Sequence, residues 1–170
     1  RQPGSTFKAI TLTTAIENGY SPLDSIDGSS PCTLHPKGVR VFPLPRTQNA
    51  EGSGGVMRLK DATRNSVNCA FFRLGSAVGM DKVIAMAHRL GIPEKRELSE
   101  VPVAAIGSAS GTSPVEMATV YSTLANDGVR HDPVFVRKIS DSSGNVLYEA
   151  NTKGEQVITS QVARTVTDVL

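Results

Sequence analysis

Ser5 and Lys8 are three residues apart in the opening stretch Gln2-Pro3-Gly4-Ser5-Thr6-Phe7-Lys8. Pro3 and Gly4 are turn residues, so Ser5 falls where a helix begins, at the end with unpaired N–H groups and partial positive charge. Lys8 then lies on the same face one turn along, and its amine can reach the Ser5 hydroxyl. Together they have the parts of an activated nucleophile. A lysine in a poorly solvated wall has a lowered pKa, and a neutral lysine can take a proton from serine. A serine at a helix start is also the ordinary N-cap, and Ser-x-x-Lys is short enough to arise by chance. The chemistry needs a second element.

Asn65-Ser66-Val67-Asn68 supplies one, followed by the apolar run Cys69-Ala70-Phe71-Phe72. A second Ser-x-Asn, Ser143-Gly144-Asn145, sits between two short β-rich runs and reads as a hairpin turn. Ser66 and Asn68 lie between two helical patterns instead, where a tight connection can aim both side chains at one spot.

The elements that must position these groups are mostly helices. Phe7, Ala9, Ile10, Leu12, Ala15 and Ile16 surround the first helix, which runs through Glu17, and apolar residues on all sides mark a buried one. Asn18-Gly19 stops it. Residues 20–56 carry Gly, Pro and Ser throughout, with one β-like run at 39–42, and read as a long loop within the domain. Leu59 and Ala62 mark a short helix delivering Ser66, and residues 69–78 a second buried helix. Met80, Val83, Ile84, Ala87 and Leu90 follow the 3-4-3 pattern, closed by Gly91 and Pro93. Ser113-Pro114-Val115-Glu116 is a capping box with proline at the first helical position. Val115, Ala118, Tyr121, Leu124 and Ala125 are the buried stripe expected of that helix, which ends at Asn126-Asp127-Gly128. Residues 134–139 and 146–149 read as a β-hairpin, and Ser160 begins a last helix. The chain is thus mainly α with a small β-hairpin.

The ordered segments Arg1-Gln2-Pro3-Gly4-Ser5-Thr6-Phe7-Lys8 and Gly55 through Ser66-Val67-Asn68, with the later Thr112-Ser113-Pro114-Val115-Glu116 through Gly128, resemble the transpeptidase domain of penicillin-binding proteins. The Arg-Gln-Pro-Gly lead-in is most similar to the class A, bifunctional branch. The resemblance implies the helical subdomain of the α/β serine penicillin-recognising fold, shared with β-lactamases. It implies a partial transpeptidase domain over 1–170, because neither Lys-Thr-Gly nor Lys-Ser-Gly occurs in the sequence. In the family that triplet lies on a strand after the helix begun at Ser160, so most of the central sheet is expected to be missing. That strand gives a second oxyanion-hole donor. One such donor is worth roughly 10²–10³ in rate, so the isolated chain is expected to turn over little.

The resemblance further implies that Ser5 attacks the penultimate D-Ala carbonyl of a peptidoglycan stem peptide and that Lys8 takes its proton. Ser66 relays a proton to the leaving amine, Asn68 binds the acyl side chain, and β-lactams acylate Ser5. It implies no cofactor, and a glycosyltransferase module upstream stays open. A β-lactamase shares Ser5 and Lys8 but needs a base for fast deacylation, and no carboxylate is recognisably placed for that. A non-catalytic penicillin sensor or scaffold is the other alternative.

The family works outside the cytoplasmic membrane, where disulfides persist. Cys32 and Cys69 are then expected to form a bridge tying the long loop to the rim of the site, with two free thiols as the alternative. The chain-entropy model assigns such a loop of about 37 residues roughly 3–4 kcal/mol. The other bounds are broad. At 170 residues the chain is one domain or part of one. A net charge of +2, with no basic run longer than two, gives no support for nucleic-acid binding. The three histidines lack ligand spacing, so no metal is expected. No apolar stretch approaches a membrane span and no signal peptide is expected, an anchor being expected outside this sequence.

Overall fold

The computed structural model describes residues 1–33, 46–52, 54–109 and 111–170. The β-like run at 39–42 and His35 lie outside the described residues. The chain starts with a 3-10 turn, Gly4–Phe7, that runs directly into helix α1, Lys8–Glu17. Phe7, Ala9, Ile10, Leu12 and Ala15 are buried, and α1 packs against three of the helices that follow it. Burying a side chain such as Leu12 contributes about 1.5–3 kcal/mol. Three threonines share this buried helix because each hydroxyl has an acceptor. Thr13 donates to Ala9 O at 2.7 Å, Thr14 to Ile10 O at 2.8 Å, and Thr11 across to Ala105 O at 2.9 Å.

The other helices are α2 (Leu59–Arg64), α3 (Asn68–Val78), α4 (Met80–Leu90), α5 (Pro114–Ala125) and α6 (Ser160–Val169), of which α3, α4 and α6 pack on α1. In α4 the residues Met80, Val83, Met86, Ala87 and Leu90 are buried, and Gly91 at φ 122° ends the helix. A 3-10 turn at Pro102–Ile106 packs on α3 at Gly75, where a Cβ would run into Ala105. The capping box of α5 is formed: Ser113 Oγ accepts from Glu116 N at 3.2 Å, and Ser113 N donates to Glu116 Oε2 at 2.7 Å.

The strands are short. Besides β1 (Ser25–Asp27), β2 (Cys32–Thr33), β3 (Arg46–Thr47) and β4 (Val56–Arg58), there are β5 (Val129–Arg130), β6 (Lys138–Ser140), β7 (Val146–Glu149) and β8 (Glu155–Gln156). They form two-stranded antiparallel pairs, β1–β4, β2–β3, β5–β8 and β6–β7. The described residues of 20–56 thus contribute to short strand pairs. Ile26 pairs with Met57 and Cys32 with Thr47, and β1, β3 and β4 contact α2 or α3.

Two sequence expectations are corrected. The hairpin exists, but its first strand begins at Lys138; Val134, Phe135 and Val136 lie outside it and are exposed. The buried face of α5 is Met117, Thr119, Val120, Thr123 and Leu124, whereas Val115, Ala118, Tyr121 and Ala125 are exposed. Thr119 and Thr123 donate to Val115 O and Thr119 O at 2.9 Å, so their hydroxyls enter the core already satisfied and their methyl groups pack.

Candidate active site

Ser5 is the second residue of the opening 3-10 turn and is exposed, while Lys8 behind it is 4% exposed. The turn is fixed from several sides. Gly4 N donates to Gly107 O at 3.3 Å, Thr6 Oγ1 to Pro3 O at 2.8 Å, and the Tyr121 hydroxyl to Thr6 O at 3.1 Å. Gly107, at φ 78°, backs directly onto Gly4, and a Cβ there would overlap the Gly4 backbone.

The Lys8 amine turns towards the α2–α3 connection. Nζ donates to Ser66 O at 2.7 Å, to Ser66 Oγ at 3.0 Å and to Asn68 Oδ1 at 2.8 Å. It also lies 5.5 Å from the centroid of the Phe71 ring, within cation–π range. Desolvation lowers its pKa from 10.5 to about 8. No hydrogen bond joins Lys8 to Ser5 among the described residues, although the helical spacing puts the amine within reach. Burial keeps Lys8 from water, and carbonyl oxygens on the neighbouring connection attract its N–H groups more strongly than an exposed hydroxyl does.

That connection has an uncommon backbone. Ser66 N donates to Thr63 O and Val67 N to Ala62 O, both at 2.9 Å, which is the Schellman ending of α2. The left-handed position of this motif usually belongs to glycine; here it is Ser66, at φ 50°. The left-handed turn lets both the carbonyl and the hydroxyl of Ser66 face Lys8. Val67 is then extended, and Asn68 opens α3. Asn68 Nδ2 donates to Gln48 O at 3.0 Å, which leaves one of its two N–H bonds for another partner.

Cys32 and Cys69 are bonded, with Cα atoms 5.7 Å apart, and the bridge lies at the second residue of α3, next to Asn68. Among the described residues no group of three or more His, Cys, Asp or Glu could hold a metal ion, and none of the described helices is long and apolar enough to cross a membrane. Lys8, Ser66 and Asn68 are thus joined directly, and Ser5 stands three residues before Lys8 on the turn that opens its helix. Sequence reasoning missed Gln48, Asn49, Gly107 and the hydroxyl of Tyr121. Gln-Asn in a glycine-rich stretch reads only as a turn, and Tyr121 reads as core.

An exposed serine thus stands on the turn before a buried helix, and the desolvated lysine of that helix is bound to a Ser-x-Asn turn. The model of the penicillin-binding protein transpeptidase domain matches residues 1–170. Penicillin-binding protein 1A of Mycobacterium tuberculosis is 33% identical over 98% of this chain and 21% of its own length. Peptidoglycan D,D-transpeptidase PbpA of Mycolicibacterium smegmatis is 30% identical over 99% of this chain and 38% of its own. The structure of the PonA1 protein from Mycobacterium tuberculosis in complex with penicillin V superposes with a TM-score of 0.85 at 32% identity, covering 99% of this chain and 46% of that one. The chain belongs to the family of penicillin-binding protein transpeptidase domains. It spans about a fifth of the length of the penicillin-binding protein 1A relatives, 21% and 23% in two cases.

Proposed function

We propose that the chain is the serine- and lysine-bearing part of a peptidoglycan D,D-transpeptidase that forms a serine acyl-enzyme and is acylated by β-lactams. The observation that carries this reading is the set of acceptors around Lys8 Nζ. Ser66 O and Asn68 Oδ1 can only accept, so they hold two N–H bonds in either protonation state. Ser66 Oγ can accept from an ammonium or donate to a neutral amine. When Lys8 is neutral its lone pair is available to a hydroxyl, and the lowered pKa makes that state accessible near neutral pH.

In the proposed reaction Ser5 Oγ attacks the penultimate D-Ala carbonyl carbon of a stem peptide while Lys8 takes the hydroxyl proton. Hydrogen bonds of this kind often tighten only once substrate is bound. The Ser5 N–H, at the open end of its turn, donates to the oxyanion. The C–N bond then breaks, and the departing D-Ala amine receives a proton through Ser66 Oγ. The amine of a second stem peptide attacks the Ser5 ester carbonyl, the C–Oγ bond breaks as the cross-link forms, and a proton from that amine passes to Ser5 Oγ. Asn68 offers its remaining N–H to the acyl side chain. The Cys32–Cys69 bridge supports a place outside the cytoplasmic membrane, where such bonds persist. The isolated 170-residue chain is expected to turn over little, because no Lys-Thr-Gly or Lys-Ser-Gly lies in it.

The test is acylation of the full-length protein by a fluorescent penicillin. Label is expected at Ser5, lost in Ser5→Ala, and retained far longer than the minutes a β-lactamase allows. Absence of label, or label on another residue, refutes the reading; an adduct lost within minutes favours the β-lactamase instead.

A further inference from the structure

The Asn68 amide is held on its outer side as well as its inner one. Oδ1 lies on Lys8 Nζ, while Nδ2 donates to the carbonyl of Gln48 at 3.0 Å. A carbonyl accepts only, so Gln48 determines which end of the amide faces the lysine. Gln48 is in turn held by its neighbour. Asn49 N donates to Ser30 Oγ at 3.0 Å, Asn49 Nδ2 to Gly28 O at 2.9 Å, and Asn49 Oδ1 accepts from Cys69 N at 2.9 Å.

Cys69 is the second residue of α3, so its N–H is one of those a helix cannot satisfy internally. Val67, the N-cap residue, has no side chain to do it. Asn49 therefore caps α3 from a distant part of the sequence. Both ends of its amide face one-way partners, a carbonyl and an N–H, so its orientation is determined too. Glycines make room for it: a Cβ at Gly54 would collide with the Gly28 carbonyl and come within 2.9 Å of Asn49 Nδ2.

Resting on the transpeptidase reading, we propose that Asn49 is a positioning residue for the general base, capping α3 and clamping Gln48 so that Asn68 keeps its oxygen on Lys8. It touches no reacting atom and acts through Asn68. Without the clamp the amide is free to rotate, and an N–H pair then faces the amine. Lys8 loses one of three acceptors and its fixed position. Loss of an acceptor for the charged form pushes its pKa further down, while loss of position lowers the rate of proton transfer. The Cys32–Cys69 bridge ties the same segment through Thr47, the partner of Cys32 across β2–β3, and is the rival explanation of how it is held.

The experiment measures the acylation rate of the full-length protein by a fluorescent penicillin between pH 6 and 10, with the disulfide intact. Wild type, Asn49→Ala and Asn49→Asp are compared, and unfolding temperatures are recorded alongside. For Asn49→Ala the plateau rate is expected to fall roughly tenfold or more, as misplacement of a catalytic group does, with the midpoint of the pH profile moving to lower pH. Asn49→Asp keeps the acceptor for Cys69 N but sets a carboxylate oxygen against the Gly28 carbonyl, and is expected to recover part of the plateau. A plateau and midpoint equal to wild type in Asn49→Ala, even with a lowered unfolding temperature, overturns the proposal and leaves the disulfide as the sole clamp. If Asn49→Ala does not fold, Asn49→Ser, too short to reach Cys69 N, is judged by the same two readouts. A wild type that takes no label overturns the transpeptidase reading itself, which separates the two failures.

Discussion

Replacing Ser66 by glycine and, separately, by alanine removes the same hydroxyl but leaves opposite backbone problems. Ser66 sits at φ 50° in the left-handed region, where a Cβ costs about 1–2 kcal/mol. Alanine keeps that cost and glycine removes it. Glycine also loses more freedom on folding, about 0.5–1 kcal/mol relative to alanine, which offsets part of the gain. The net expectation is that Ser66→Gly is more stable than Ser66→Ala by about 1 kcal/mol, or about 2–4 °C in unfolding temperature for a domain of this size. The lost contact to Lys8 at 3.0 Å is common to both variants and cancels. Acylation behaves differently. With the relay hydroxyl gone, both variants are expected to react about 10²–10⁴-fold more slowly with a fluorescent penicillin. Calorimetry of the full-length protein, following the transition that bound penicillin raises, gives the first quantity, and labelling rates give the second. An alanine variant as stable as the glycine one refutes the strain argument. A glycine variant labelling within tenfold of wild type refutes the relay.

Four further outcomes follow from the structure. Reducing the Cys32–Cys69 bridge, or replacing Cys69 by serine, is expected to destabilise the domain by roughly 3–4 kcal/mol in the chain-entropy model; equal thiol titration with and without reductant would show there is no bridge to lose. Gly107→Ala places a methyl against the Gly4 backbone and is expected to slow labelling of Ser5 at least tenfold by displacing its turn, whereas an unchanged rate would show that the turn absorbs the push. Lys8 has a folded pKa of about 8 against 10.5, so acylation should rise with pH through about 8 and then level off. The same shift has a defined sign for stability. Below about pH 8 the folded state carries the cost of a buried ammonium, and between about 8 and 10.5 that cost fades, so wild type should gain stability relative to Lys8→Met as pH rises. A constant difference between the two across that range would contradict it.

The pieces of this site were legible in the sequence wherever a local rule determines them. The turn before α1 and the capping box at Ser113 depend on residues within one or two turns of each other, and each stands where spacing puts it; on α4 the spacing gives Met80, Val83, Ala87 and Leu90, but Ile84 is only half-buried and Met86 is buried instead. What spacing could not give is where the Lys8 amine goes. One helical turn allows it to reach Ser5, yet its partners lie 58 and 60 positions away, on a connection whose direction depends on α2 and α3 packing together. The short strand pairs within 20–56 were hidden for a related reason. Two or three residues with no alternation carry no periodic signal, and only pairing such as Cys32 with Thr47 defines them. The misread face of α5 comes from treating threonine as polar when its hydroxyl is already satisfied within the helix.

Ser66 joins these two kinds of information. By local rules the end of α2 should carry glycine, and a serine there looks like a poor choice. Seen from Lys8 it is the residue that presents a carbonyl and a hydroxyl together to a single amine, which glycine cannot do. A broken local preference with no gain in packing is where a fold accommodates chemistry rather than stability. The same reasoning separates Ser66-Val67-Asn68 from Ser143-Gly144-Asn145. In the latter the glycine takes the left-handed position at φ 86°, the turn satisfies itself through Asp141, and nothing in it is strained towards a partner.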